Sequence, residues 1–282
     1  MHELIYPCFW FDGKAKEAAT FYCQVFSDSR ILEENPMVVT FLSAGQKFMC
    51  LNGGPKFTIT PSVSIYTILS EEEIHKTWDL LIQGGEAMMP LDTYPWSKKY
   101  GWVKDRFGVT WQLTVDKPAH SDQKFIPCLM FSENNFGKAE EAIQHYISIF
   151  DKSELVFAAK YGEESAGQEG KVMHAQFFLH GMLFAAMDSS IVHGFNFNEG
   201  LSFVVSCKTQ KEIDFYWEQL SAGGSTNRCG WLKDKYGLSW QIVPAQLGKL
   251  VSDPKKGKAV IEAFMQMTKF DIADLEAAGD KS

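Results

Sequence analysis

The chain has 282 residues, enough for two ordinary domains with sizeable cores. With 45% apolar residues, 22 Phe and 8 Trp, it reads as a folded chain and not a disordered one. Its net charge of −8 argues against the basic face of a nucleic-acid binder and the polybasic patch of a membrane-surface protein.

The start, Met1-His2-Glu3-Leu4, lacks a basic region, and Asp12 soon interrupts the apolar run, so no signal peptide is expected. No apolar run is long enough to span a bilayer. Cys8, Cys23, Cys50, Cys128, Cys207 and Cys229 are scattered, with no Cys-x-x-Cys pair. They read as buried free thiols of a reducing cytosol, not as a zinc site or redox pair. The expected location is cytoplasmic.

Tyr6-Pro7-Cys8-Phe9-Trp10-Phe11 reads as a short apolar strand, broken by Asp12-Gly13. Residues 14–26 place Ala15, Ala18, Ala19, Tyr22, Val25 and Phe26 at helical spacing. Three strands follow at 30–34, 37–43 and 46–51, with Ala44-Gly45 as a tight turn. A second β-α-β-β-β unit begins with a strand at 62–69. Ser70 then stands as N-cap before Glu71, Glu72 and Glu73, and Gly84-Gly85 stops the helix. Strands are expected around 87–89, at Trp102-Val103 and at 109–115. A polar stretch at 117–124 reads as a linker. Ile126-Pro127-Cys128-Leu129-Met130-Phe131 then repeats the opening strand, and two more units follow. The predicted domains are 1–116 and 125–247, with a C-terminal helical region over 248–282.

The duplication is clearest in one stretch. Gly-Trp-Val-Lys-Asp-Arg-Phe-Gly-Val-Thr-Trp-Gln at 101–112 returns as Gly-Trp-Leu-Lys-Asp-Lys-Tyr-Gly-Leu-Ser-Trp-Gln at 230–241, identical at seven of twelve positions. Each copy reads as a β-hairpin turning at Asp105 to Gly108 or Asp234 to Gly237. The halves differ in two loops. The first carries Leu91-Asp92-Thr93-Tyr94-Pro95-Trp96-Ser97-Lys98-Lys99-Tyr100 where the second has Ser225-Thr226-Asn227-Arg228-Cys229. The second half inserts a Gly- and Glu-rich segment at 161–170.

Paired β-α-β-β-β units with this hairpin motif resemble the vicinal-oxygen-chelate superfamily of glyoxalase I, bleomycin-resistance proteins and extradiol dioxygenases. Within it, the two Gly-Trp-x-Lys-Asp motifs, the 94–100 segment and the ending Met267-Thr268-Lys269-Phe270-Asp271 resemble the PhnB-like family. That family is often labelled a 3-demethylubiquinone-9 3-methyltransferase domain. The resemblance covers nearly the whole chain. It implies an α+β fold of four βαβββ units, each pair forming an open eight-stranded barrel around a concave small-molecule pocket. Metal-using members place His, Glu or Gln on the first, fourth, fifth and eighth strands of a pair. By that likeness the eighth-strand places fall on Gln112 and Gln241, and the fifth-strand places at or beside Ser64 and Ser202. The first-strand places fall near Pro7 and Pro127, which cannot coordinate, and the fourth-strand places near Asn52 and Asp188. No convergent ligand set results, so no metal and no cofactor is expected.

Gln112 and Gln241 are the leading polar candidates for the pocket, with Trp102 and Trp231 as aromatic lining. Asp105 and Asp234 sit in turns, where a structural role outweighs an acid's. His174 and His180 lack counterparts in the first half and read as lone structural histidines. The 94–100 segment adds Tyr94, Trp96, Lys98 and Tyr100, whose rings must pack on something and whose lysine would suit an anionic ligand. Asn52-Gly53-Gly54-Pro55 is Gly-rich but leads to a loop and a strand, so it does not support an S-adenosylmethionine site. The leading expectation is a small-molecule-binding protein that contacts neither nucleic acid nor membrane, with a homodimer kept open. The other readings are a metal-dependent lyase or dioxygenase and a structural module with filled pockets.

Overall fold

The computed structural model describes residues 4–280. Met1, His2 and Glu3, on which the leader expectation partly rests, lie outside them. The first unit runs β1 (Ile5–Phe11), α1 (Ala15–Val25), β2 (Ser29–Glu34), β3 (Val38–Ser43) and β4 (Gln46–Asn52). The second runs β5 (Val63–Ile68), α2 (Glu71–Leu81), β6 (Glu86–Tyr94), β7 (Ser97–Lys104) and β8 (Thr110–Thr114). The third is β9 (Phe125–Phe131), α3 (Ala139–Ile149), β10 (Glu154–Lys160), β11 (Val172–Leu179) and β12 (Met182–Asp188). The fourth is β13 (Leu201–Cys207), α4 (Gln210–Ser221), β14 (Ser225–Thr226), β15 (Trp231–Lys233) and β16 (Ser239–Pro244). α5 (Leu247–Val251), α6 (Gly257–Phe264) and α7 (Ile272–Asp280) end the chain. The repeated βαβββ pattern is therefore present four times. No helix among the described residues is long and apolar enough to cross a membrane.

The helices start for two different reasons. α2 and α4 carry their own capping boxes: Ser70 with Glu73, and Thr209 with Glu212. α1 and α3 have no side-chain cap of their own. Their N-terminal N–H groups are taken by the last residue of the unit's fourth strand. Asn52 Oδ1 accepts from Ala15 N–H at 2.8 Å. Asp188 Oδ1 accepts from Gly137 and Ala139 N–H at 2.8 and 3.2 Å, and its Oδ2 from Val172 N–H at 2.9 Å. A carboxylate suits the positive end of a helix. The two residues near the resemblance's fourth-strand ligand places thus hold helix N-termini instead.

By compactness the described residues divide into 7–201 and 4–6 with 202–280. Wholly within 7–201 lies one open eight-stranded sheet of order β10-β11-β12-β9-β5-β8-β7-β6. It joins the second βαβββ unit to the third, across the midpoint of the sequence, through antiparallel pairing of β5 with β9. Also within 7–201, β4 pairs with β1 and β3, and β3 with β2; in the smaller unit β15 pairs with β14 and β16, and β16 with β13. In the smaller unit the Leu4 carbonyl accepts from Ser206 N–H at 2.7 Å. There the C-terminal tail lies along the short hairpin: Cys229 and Gly230 N–H donate to the Met267 and Thr268 carbonyls, and Phe270 is buried to 1% exposure.

Gly101 fixes which face of β7 meets α2. A Cβ there would lie 2.7 Å from the Trp78 ring of α2, so only glycine allows the approach. Side chains alternate along a strand, so Tyr100 and Trp102 point to the opposite, inner face. The helix side holds an aromatic core: Trp111 is fully buried, with the Phe26 and Tyr22 rings 4.8 and 5.2 Å away.

One expectation is corrected here. Residues 91–100 are not an inserted loop. They extend β6 and β7 into a long hairpin that closes between Tyr94 and Ser97. The second half makes only the two-residue β14 and three-residue β15 at that place.

Candidate functional site

The repeated hairpin is built around its aspartate. Asp105 Oδ1 accepts from the N–H groups of Phe107 and Val109 at 2.8 and 3.1 Å, closing the turn. Its Oδ2 accepts from Tyr22 OH at 2.9 Å and the Trp111 indole N–H at 2.8 Å. Asp234 repeats this with Tyr236 and Leu238 N–H and the Trp240 indole N–H, at 2.9, 3.1 and 2.9 Å. Burial pushes the Asp105 carboxyl above its ordinary range, against the hydrogen bonds that favour its charge. Both aspartates face the helix side with the buried tryptophans. They join strand to core and do not touch the inner face.

On the inner face the next residue along β8 does the opposite. Gln112 follows Trp111 and turns away from the helices. Its Oε1 accepts from Tyr100 OH at 2.7 Å, and its Nε2 donates to Ser64 Oγ at 2.7 Å. β9 adds Cys128, directly opposite Ser64. Burial pushes its thiol up to about 12. It also raises the Tyr100 and Tyr66 phenols. Trp102 lies directly across from Gln112 in the β7–β8 ladder. Its Nε1 is buried and has no hydrogen-bond partner.

Of the residues named from sequence, Ser64, Tyr100, Gln112 and Trp102 are brought together. Tyr94 reaches them only through its ring, 5.7 Å from that of Tyr100, while its hydroxyl donates to the Pro90 carbonyl. Trp96 stacks on Tyr94 at 5.0 Å and stays 63% exposed. Lys98 is exposed, and its backbone N–H donates to Asp116. In the smaller unit Gln241 Nε2 donates to Ser202 Oγ at 3.0 Å, and Trp231 lies across from Gln241. There the place of Tyr100 is taken by Cys229, so the phenol-to-amide bond has no copy. His180 bonds the Asp151 carboxylate in a turn, and His174 packs against Phe157 with ring centroids 5.6 Å apart.

Sequence reasoning missed Cys128. It put the ligand place of this strand near Pro127, one residue away, and Pro127 pairs with Ile65 on the helix side. The recurrence of Cys8 and Cys128 at matching repeat positions was the signal that could have found it.

Comparison with known proteins agrees with this architecture. The sequence profile described as 3-demethylubiquinone-9 3-methyltransferase matches twice, over residues 3–114 and 123–243. No curated protein matches the chain. Among solved structures, the PhnB protein from Bacillus cereus is 40% identical, over 40% of this chain and 98% of its own, with a TM-score of 0.37. Glyoxalase I from Zea mays is 10% identical and covers 86% of this chain and 92% of its own, with a TM-score of 0.58, a likeness of fold alone. With both halves matched, the chain belongs to the family described as 3-demethylubiquinone-9 3-methyltransferase.

Proposed function

We propose that the protein binds a small molecule on the inner face of the β5–β12 sheet, beside Trp102, Gln112, Tyr100 and Ser64, without a catalytic metal. The observation that carries this is the Trp102 indole N–H, buried and unpaired beside a hydrogen-bonded amide. An unpaired buried donor costs about 1–3 kcal/mol, which a ligand acceptor would recover. Tyr100 and Ser64 hold the Gln112 amide in one orientation, so the polar contact is set before a ligand arrives.

The donors gathered on this face are a hydroxyl, an amide and a protonated thiol. A catalytic divalent ion wants imidazoles and carboxylates, so these residues do not fit one. Among the described residues no three His, Cys, Asp or Glu side chains converge. The methyl-donor reading gains no support from residues 52–54. A Cβ at Gly53 would lie 2.2 Å from the Trp10 ring, and the Trp10 indole N–H donates to the Gly54 carbonyl at 2.7 Å. That turn wraps an indole where a phosphate cradle would need open backbone N–H groups.

Native mass spectrometry of the purified protein, with a fragment screen by ligand-observed NMR, tests the proposal. One bound small molecule is expected in the wild type and none in a folded Trp102→Phe, Gln112→Leu variant. Binding retained in that variant, or stoichiometric zinc, iron or manganese, would overturn it.

A further inference from the structure

We infer that this inner face selects an uncharged, largely apolar ligand carrying one hydrogen-bond acceptor, and rejects anions. The inference rests on the reading above that the face is a binding site. Its floor is a buried apolar cluster of Ile126, Cys128, Leu183 and Ala185, contributed by the adjacent strands β9 and β12. Tyr66, Phe178 and Met187 pack against that floor and stay half-buried, so they form its rim. The polar line of Ser64, Gln112 and Tyr100 borders the floor on the β8 side, and its amide is engaged at both ends. The Trp102 indole N–H and the Thr110 hydroxyl, two residues before Gln112 on β8, are buried on this face without a partner, and the indole can only donate, so an incoming ligand needs an acceptor there.

No group in the middle of this face supplies a charge. Burial raises the Cys128 thiol and the Tyr66 and Tyr100 phenols, and lowers the His174 imidazole, so all four are neutral at pH 7. The cation on this face of β7 is Lys98, which is exposed. It lies four residues from Trp102, about 13 Å along an extended strand. Lys104, near the other end of the strand, is paired with Glu86. An anion bound at Trp102 would therefore lose its water without gaining a countercharge.

Two matched probe pairs separate the outcomes. N-phenyl-1-naphthylamine and 1-anilinonaphthalene-8-sulfonate share their rings and differ by one sulfonate, and both brighten in apolar surroundings. The neutral dye should bind at least tenfold more tightly. In displacement, 1-acetylnaphthalene should outcompete 1-ethylnaphthalene at least fivefold, and Trp102→Phe should abolish that difference. Met187→Lys, which adds a cation at the rim, should raise sulfonate affinity at least tenfold and guards against a Trp102 variant that fails to fold. Sulfonate binding that equals or exceeds neutral-dye binding in the wild type, yet falls in Trp102→Phe, overturns the neutrality inference and leaves the site standing. So does an acetyl-to-ethyl difference that survives Trp102→Phe. If no probe's binding responds to either variant, the binding-site reading itself fails.

Discussion

Replacing Asp105 with asparagine separates a structural aspartate from a catalytic one. Asp105 is 2% exposed and accepts hydrogen bonds from Phe107 N–H, Val109 N–H, Tyr22 OH and Trp111 Nε1. An asparagine can keep its carbonyl on the two turn N–H groups. Its amide nitrogen then faces Tyr22 and Trp111. The phenol can rotate and accept, but the indole N–H is rigid and becomes a buried donor facing a donor. That one clash costs about 1–3 kcal/mol. Losing the charge-assisted character of the remaining bonds adds about 1 kcal/mol. The smaller desolvation cost of a neutral amide offsets part of this, leaving a net loss of about 2–3 kcal/mol. Asp105→Ala also frees both turn N–H groups and should cost about 4 kcal/mol. Asp234→Asn should match Asp105→Asn, since it strands the Trp240 indole in the same way. Urea unfolding at pH 7, followed by tryptophan fluorescence and far-UV circular dichroism together, measures each loss. A loss below about 0.5 kcal/mol for Asp105→Asn, typical of an uninvolved surface site, would refute the clamp. So would a stable variant that has lost ligand binding.

Gly101→Ala should destabilise by about 1–3 kcal/mol by overpacking, because its Cβ would meet the Trp78 ring at 2.7 Å and the Leu91 backbone at 3.0 Å; equilibrium unfolding reads this directly. Phe270→Ala should cost about 3–5 kcal/mol and loosen the tail, seen as faster amide exchange at Cys229 and Gly230. Burial alone would raise the Glu73 carboxyl, but hydrogen bonds from Ser70 N–H, Lys124 and Ser27 outweigh it and hold the group at about 2. Its folded value is depressed below the ordinary 4.5, so its contribution is present above pH 4.5 and lost as pH falls through about 2. Glu73→Gln should therefore be less stable than wild type by about 1 kcal/mol at pH 7, and an acid titration of both proteins should show the gap closing below pH 4.5.

Local rules made much of the fold legible. Ser70 followed by Glu73 announces its helix, and the repeated Gly-Trp hairpin announces the duplication. The long β6–β7 hairpin was not legible, because Tyr94-Pro95-Trp96 reads as punctuation when isolated from the strand it pairs with. The pairing of β5 with β9 was hidden for a different reason. Each unit has the same apolar pattern, so nothing local says which neighbour completes its sheet. The site was legible where alternation could be anchored. Neighbours along a strand face opposite ways, and Trp111 lies in the core while Gln112 lies on the inner face. The first-strand place was read only as near Pro127, and a one-residue shift in a strand exchanges the two faces, so Cys128 was not singled out.

The central claim is that the Trp102 indole N–H meets the ligand while the other buried indoles belong to the fold. Titration of 15N-tryptophan-labelled protein with 1-acetylnaphthalene, reading the indole N–H resonances, tests it most directly. The account predicts a saturable shift of the Trp102 resonance with little change at Trp111 and Trp240, whose N–H groups are held by Asp105 and Asp234. An unmoved Trp102 resonance at saturating ketone, or equal shifts at all three, would contradict it.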